Sequence, residues 1–157
     1  MRSYSGRKPV LGWSLHMTGG WRAKHERVKR WFNRAVCATE PIDRIDFLYA
    51  FFENAYHLRD WIKDTKAVED DDLNKFISGN AYMRLCRDLA NSHKHYSLNR
   101  GNSTPPSEVR EYSPGNGNLE LDTSLIIIRD GTKYDAVDLA KNIMTAWEDF
   151  IKLHFQE

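Results

Sequence analysis

The sequence predicts an all-α fold, an antiparallel four-helix bundle carrying one small inserted β-hairpin, and three observations predict it. Apolar residues recur at helical spacing in four long stretches, about 21–38, 41–64, 81–96 and 135–155. One segment, 119–134, reads as two strands about a tight turn. Between the third and fourth helices, 99–118 is dominated by Asn, Ser, Pro and Gly, the composition of a loop. A chain of 157 residues is long enough for one self-sufficient core, because a domain of about 150 residues buries roughly two thirds of its unfolded surface.

Residues 1–20 have no helical period and read as an irregular, basic N-terminal extension ending in Gly19-Gly20; residues 21–157 form the single domain. From Trp21 to Ala38 the residues Val28, Trp31, Phe32, Ala35 and Val36 line one side of a helix, with Lys and Arg opposite. Pro41 suits the first turn of a second helix running to about Asp64, with Ile42, Ile45, Leu48, Tyr49, Phe52 and Tyr56 as its apolar stripe. These two helices should pack as a hairpin. The run Glu69-Asp70-Asp71-Asp72 lacks the alternating spacing and closing glutamate of a calcium loop. It stands before Leu73, where acids cap a helix and favour its dipole. A short helix to Ser78 follows, Gly79 ends it, and Asn80 caps the next, 81–96, with Tyr82, Leu85, Cys86 and Leu89 as its apolar stripe.

The segment 99–118 contains Pro105-Pro106 and Gly115-Asn116-Gly117 and reads as a flexible loop. It is not a phosphate-binding loop, since Asn118 and Leu119 stand where that motif needs a lysine and a hydroxyl. Leu119 to Ile128 and Thr132 to Tyr134 flank Asp130-Gly131, a tight-turn pair. The last helix carries Ala136, Leu139, Ala140, Ile143, Met144, Trp147 and Ile151 at helical spacing.

The apolar runs Phe47 to Phe52 and Leu125 to Ile128 are far short of the ~20 residues that span a bilayer, and charges occupy the N-terminus where a signal peptide needs an apolar stretch. A cytoplasmic protein with no membrane partner is the expectation. Cys37 and Cys86 stand alone in helical, apolar surroundings and are expected as buried free thiols. The net charge of +1 conceals an asymmetry. Residues 1–34 carry nine Lys/Arg against one acid, Glu26, whereas residues 35–90 carry seven against eleven acids. Arg22, Lys24, Arg27, Lys29, Arg30 and Arg34, with Lys94 further on, are candidate phosphate contacts, and Trp13, Trp21 and Trp31 are candidate stacking rings. The competing reading is a solvated basic helix face whose tryptophans pack on the core.

The densest chemistry lies between Arg87 and Tyr96, which reads Arg87-Asp88-Leu89-Ala90-Asn91-Ser92-His93-Lys94-His95-Tyr96. A guanidinium offers a bidentate fork to a phosphate, and an imidazole titrates near neutrality, so it moves protons without strong tuning. Arg84, Asp88, Asn91 and His95 form a continuous polar stripe beside Arg87, whereas His93 falls about 120° around a regular helix from it, on the continuation of the apolar stripe. That conflict disappears if the helix ends near Asn91 or Ser92, or if the apolar stripe faces a second subunit. Arg87 can equally serve as a salt-bridge partner of Asp88, with Asn91, His93 and His95 in structural roles.

An arginine, a polar residue and then a histidine after four to six intervening residues resembles the signature of the HEPN superfamily, small helical proteins many of which are metal-independent ribonucleases. The resemblance covers the motif and the helical layout of 21–157, not the hairpin or the extension. It implies that Arg87 binds the scissile phosphate while His93, with His95 as competitor, moves the proton of the ribose 2′-hydroxyl or of the leaving oxygen. Asp88, Asn91, His57 and Asp60 would support them. It also implies a homodimer with the cleft between protomers, products with a 2′,3′-cyclic phosphate, no cofactor, and a protein partner such as an antitoxin in a toxin–antitoxin or defence setting. The runner-up is a non-catalytic module of the same fold binding a protein, a nucleotide or nucleic acid. A third reading sets Glu53, His57 and Asp60 on one helix face with His95 around a metal, although the paired Glu-x-x-His motifs of di-iron bundles are absent.

Overall fold

The computed structural model describes residues 19–92, 108–112 and 124–155, with 108–112 and Ser124 described by backbone alone. The extension up to residue 18 and most of the expected loop 99–118 therefore lie outside the described residues. The described chain is mostly helical: α1 Gly20–Cys37, α2 Pro41–Thr65, α3 Asp70–Gly79, α4 Ala81–Ser92 and α5 Ala136–Phe155, with strands β1 Glu108–Tyr112, β2 Ser124–Arg129 and β3 Thr132–Asp135. No helix among the described residues is long and apolar enough to cross a membrane.

Helix boundaries follow the sequence signals. Pro41 opens α2, where its missing N–H costs nothing. The Asn80 side-chain oxygen accepts the backbone N–H groups of Tyr82 (2.9 Å) and Met83 (3.2 Å), capping α4. Asp135 does the same for α5 through Asp138 N–H at 2.8 Å. The acidic run splits its roles: Glu69 is the N-cap residue without a side-chain cap bond, and Asp70, Asp71 and Asp72 occupy the first turn of α3, where carboxylates favour the dipole.

Helix α2 is the central element. Leu48, Phe51, Phe52, Ala55, Tyr56, Leu58 and Ile62 are buried along it, a wider face than the single stripe the sequence suggested. It packs against α1, α4 and α5. Phe51 lies 5.8 Å from Phe32 of α1, the Cys86 thiol of α4 donates to the Phe52 carbonyl at 3.4 Å, and Trp147 of α5 donates its indole N–H to the Ala55 carbonyl at 2.9 Å. Trp147 is fully buried and meets Phe76 and Phe150 edge-on. Burying an indole of that size contributes roughly 4 kcal/mol or more of transfer free energy.

Several expectations are corrected. The hairpin is one strand larger than expected: β1, inside the segment read as loop, pairs antiparallel with β2 from Glu108 opposite Ile128 to Tyr112 opposite Ser124, so β2 is the middle of three strands. Only five residues pair there, between turn formers on both sides, too short a run for its alternation to stand out. The β2–β3 turn is as expected, with Asp130 (φ 49°) and Gly131 (φ 76°) both left-handed, as a two-residue hairpin loop of matching twist requires. Ile42, placed in the α2 stripe, is 74% exposed in the first turn. Tyr82, placed in the α4 stripe, is 40% exposed, and Met83 is buried in its stead. Cys86 is buried, but Cys37, the last residue of α1, is exposed.

Candidate functional site

The cap at Asn80 sets where α4 begins, and packing against its neighbours sets its rotation. Met83, Leu85, Cys86, Leu89 and Ala90 turn into the chain's own core, so the apolar side of this helix is used within the protomer and does not await a second subunit. The opposite side carries Arg84, Arg87, Asp88 and Asn91, of which Arg84 is exposed and the others half-buried. Helix α4 is described to Ser92, whose hydroxyl donates to the Leu89 carbonyl at 2.9 Å. His93, Lys94 and His95 lie outside the described residues.

The centre of the polar side is Asp88. One carboxylate oxygen accepts from Arg87 Nε at 3.1 Å, and the other accepts from Arg129 Nη1 at the end of β2. Arg129 in turn lies 3.5 Å from Asp130 through Nε. One carboxylate thus holds two guanidiniums from different elements, and it tethers the sheet to the motif helix. With Nε committed to Asp88, the edge of Arg87 that suits a bidentate phosphate contact is its Nη1/Nη2 pair. Beside this network, between the N-terminal half of α4 and the β2–β3 hairpin, lies an open cleft of about 300 Å³ lined by Ala81, Arg84 and Leu85 of the helix and by Arg129, Asp130, Thr132 and Tyr134 of the hairpin. Arg84 also donates to the Ser78 carbonyl at 2.7 Å.

Arg129 and Tyr134 were not among the candidate residues from the sequence. The only signal for Arg129 was its place before the Asp130-Gly131 turn, and which helix that turn meets is a tertiary fact.

The His57 and Asp60 pair is real but intrahelical. His57 Nδ1 and Asp60 Oδ2 are 3.1 Å apart, one turn from each other on α2. The second Asp60 oxygen accepts from Arg59 Nε at 3.1 Å, and the Arg59 guanidinium lies 4.4 Å over the Tyr56 ring. Among the described residues no group of three or more His, Cys, Asp or Glu side chains is arranged to hold a metal ion, Glu53, His57 and Asp60 included.

The basic side of α1 is built as a packed face. Trp21 is buried against Phe155 at 4.4 Å and Trp31 is half-buried beside Phe47 at 5.9 Å, so these rings serve the core rather than standing out as base-stacking platforms; Trp13 lies outside the described residues. Arg22 covers Trp21 at 4.6 Å and Arg34 covers Trp31 at 4.7 Å. Lys29 pairs with Glu26 at 2.9 Å. Lys24, Arg27 and Arg30 line a hollow shared with Trp61 of α2.

Compared with known protein families, with curated proteins and with solved structures, the chain matches none.

Proposed function

We propose that this chain is a HEPN-type protein that acts on RNA through the polar side of α4, as a metal-independent endoribonuclease whose cleft is completed by a second copy. In this reading α1, α2, α4 and α5 are the antiparallel four-helix bundle of that superfamily, and the three-stranded sheet is an insertion. The observation that carries it is the Arg87–Asp88–Arg129 cluster: the motif arginine is oriented by the polar residue that follows it, and the same carboxylate holds a second guanidinium, Arg129, which lines an open cleft of about 300 Å³. Arg87 takes the scissile phosphate and stabilises the charge that develops on it. His93 or His95 moves the proton, and the basic face of α1, with Lys94, attracts the strand. The protein acts in the cytoplasm, in a toxin–antitoxin or defence setting with an antitoxin-like partner.

A second reading, a non-catalytic binding module, is favoured by the same carboxylate: Asp88 occupies part of both guanidiniums and serves the fold by fastening the sheet.

The test is incubation of the full chain with single-stranded RNA in EDTA. Cleavage that persists, leaves 2′,3′-cyclic phosphate ends and is lost in Arg87→Ala is the expected result, because an Arg/His site needs no Lewis acid. Activity that disappears with chelator and returns with a divalent cation would overturn the mechanism. Absence of cleavage on any RNA, with binding retained, selects the module.

A further inference from the structure

The hollow between α1 and α2 encloses about 240 Å³ and is lined by Ala23, Lys24, Glu26, Arg27, Arg30 and Trp61. Its α1 residues lie three and four positions apart, one face of that helix. Lys24 is fixed in the wall: its Nζ donates to Asn54 Oδ1 at 2.8 Å, and the Asn54 amide donates to the Ala50 carbonyl at 2.7 Å, so the ammonium is positioned by α2. Burial, and after it the charge of Arg27, holds this lysine below its ordinary range, with Glu53 and Asp60 pulling the other way. A cation so placed gains from an incoming anion. The one acid in the lining, Glu26, is bound to Lys29, and that bond holds its carboxyl below the usual range. The hollow is therefore lined by three cations, one acid that is ion-paired to Lys29, and one aromatic ring.

We propose that this hollow is a ligand site for a phosphate monoester carrying an aromatic base, a nucleoside 5′-monophosphate either free or at the 5′ end of a strand. The phosphate is held by Lys24, Arg27 and Arg30, and the base lies against Trp61. Three cations lining one concavity suit a doubly charged terminal phosphate better than the single charge of a diester along a chain. The volume falls below the ~300 Å³ at which pockets for larger ligands begin, which admits one nucleotide's phosphate and part of its base rather than a stacked run. No residue of α4 takes part. The site stands or falls separately from the cleavage reading, and absence of RNA cleavage leaves it in place.

Calorimetric titration of the full chain with AMP, adenosine and inorganic phosphate tests it, alongside an oligoribonucleotide carrying either a 5′-phosphate or a 5′-hydroxyl. Saturable AMP binding is expected, with adenosine weaker by roughly ten-fold or more, since charge-assisted contacts carry the phosphate. Arg27→Gln and the exposed Arg30→Gln should each weaken AMP by about the same factor. Trp61→Leu should weaken AMP roughly ten-fold while leaving inorganic phosphate unchanged, a split that general loosening of the groove does not produce. Trp61→Phe, which keeps a ring, should restore most of the loss. A 5′-phosphorylated strand binding well above AMP identifies a strand end as the occupant, and equal affinity identifies the free nucleotide. Adenosine binding as tightly as AMP, no saturation with AMP or the phosphorylated strand into the millimolar range, or wild-type affinity in both Arg27→Gln and Arg30→Gln would overturn the proposal.

Discussion

Arg87 is oriented by its neighbour, and the two residues should answer differently to truncation. Its side chain is about one third exposed, whereas Asp88 and Arg129 are more enclosed and hold the sheet to α4. Arg87→Ala should therefore change stability by no more than ~0.5 kcal/mol, the range of substitutions away from buried networks, while lowering cleavage by about 10²–10³-fold, as loss of a transition-state donor does. Asp88→Ala removes the acceptor of a partly buried guanidinium and should cost about 1–3 kcal/mol in chemical denaturation. If Arg87→Ala is the more destabilising of the two and leaves cleavage intact, the arginine is structural. The thiols give a second check on burial. Burial pushes the Cys86 thiol far above its ordinary range, and Cys37 is exposed, so iodoacetamide should modify one cysteine in the native protein and two after denaturation, as read by mass spectrometry. Equal native reactivity would mean that the α2–α4 seam opens readily. The sequence placed both thiols in apolar stretches, which was sound for Cys86. Cys37 escapes because it ends α1 and the chain turns away there.

Local signals carried the helices well because each boundary has a local cause. Pro41, Asn80 and Asp135 act on backbone groups within three residues of themselves, and all three stand where the sequence reading put helix starts. Asn80→Ala removes an acceptor shared by two backbone N–H groups at the start of the motif helix, and should cost about 1 kcal/mol of stability. Asn80→Asp should keep most of it, and a thermal melt separates the two. An alanine variant as stable as the wild type would show that packing alone holds the first turn of α4. Faces were less legible than boundaries. Tyr82 and Met83 both fit helical spacing as apolar residues, and only the neighbours of α4 decide that Met83 turns inward. The same holds for the α2 stripe, which widens because helices cover it from several sides. At the α4 site Arg87 and Asp88 are legible in the sequence, whereas Arg129 and Tyr134 there, and Trp61 in the α1–α2 hollow, reach their places only through contacts between elements distant in sequence.

At the scale of the whole molecule the question is whether one chain holds a complete site. The apolar side of α4 is spent on its own core, with Leu89 fully buried, so a second copy that completed the proposed cleft would meet this helix through its polar side. Leu89→Arg is accordingly a folding variant. It should unfold the protein rather than divide a dimer, because it puts an unpaired charge among apolar side chains. The oligomer has to be tested without touching the core. Sedimentation velocity at micromolar concentration should show a dimer, and subunit mixing then tells whether the sites are shared. Wild-type and Arg87→Ala chains refolded together in equal amounts form the two homodimers and the mixed dimer in about a 1:1:2 ratio, by the symmetry of random pairing. If every site needs both arginines, only the wild-type homodimer cleaves, and activity falls to about a quarter of that of the same amount of wild-type dimer. If each chain carries its own site, the mixed dimers keep one working copy and about half remains. The composite cleft predicts the lower figure. A result near half, or a stable monomer that still cleaves, would place the whole reaction within one protomer.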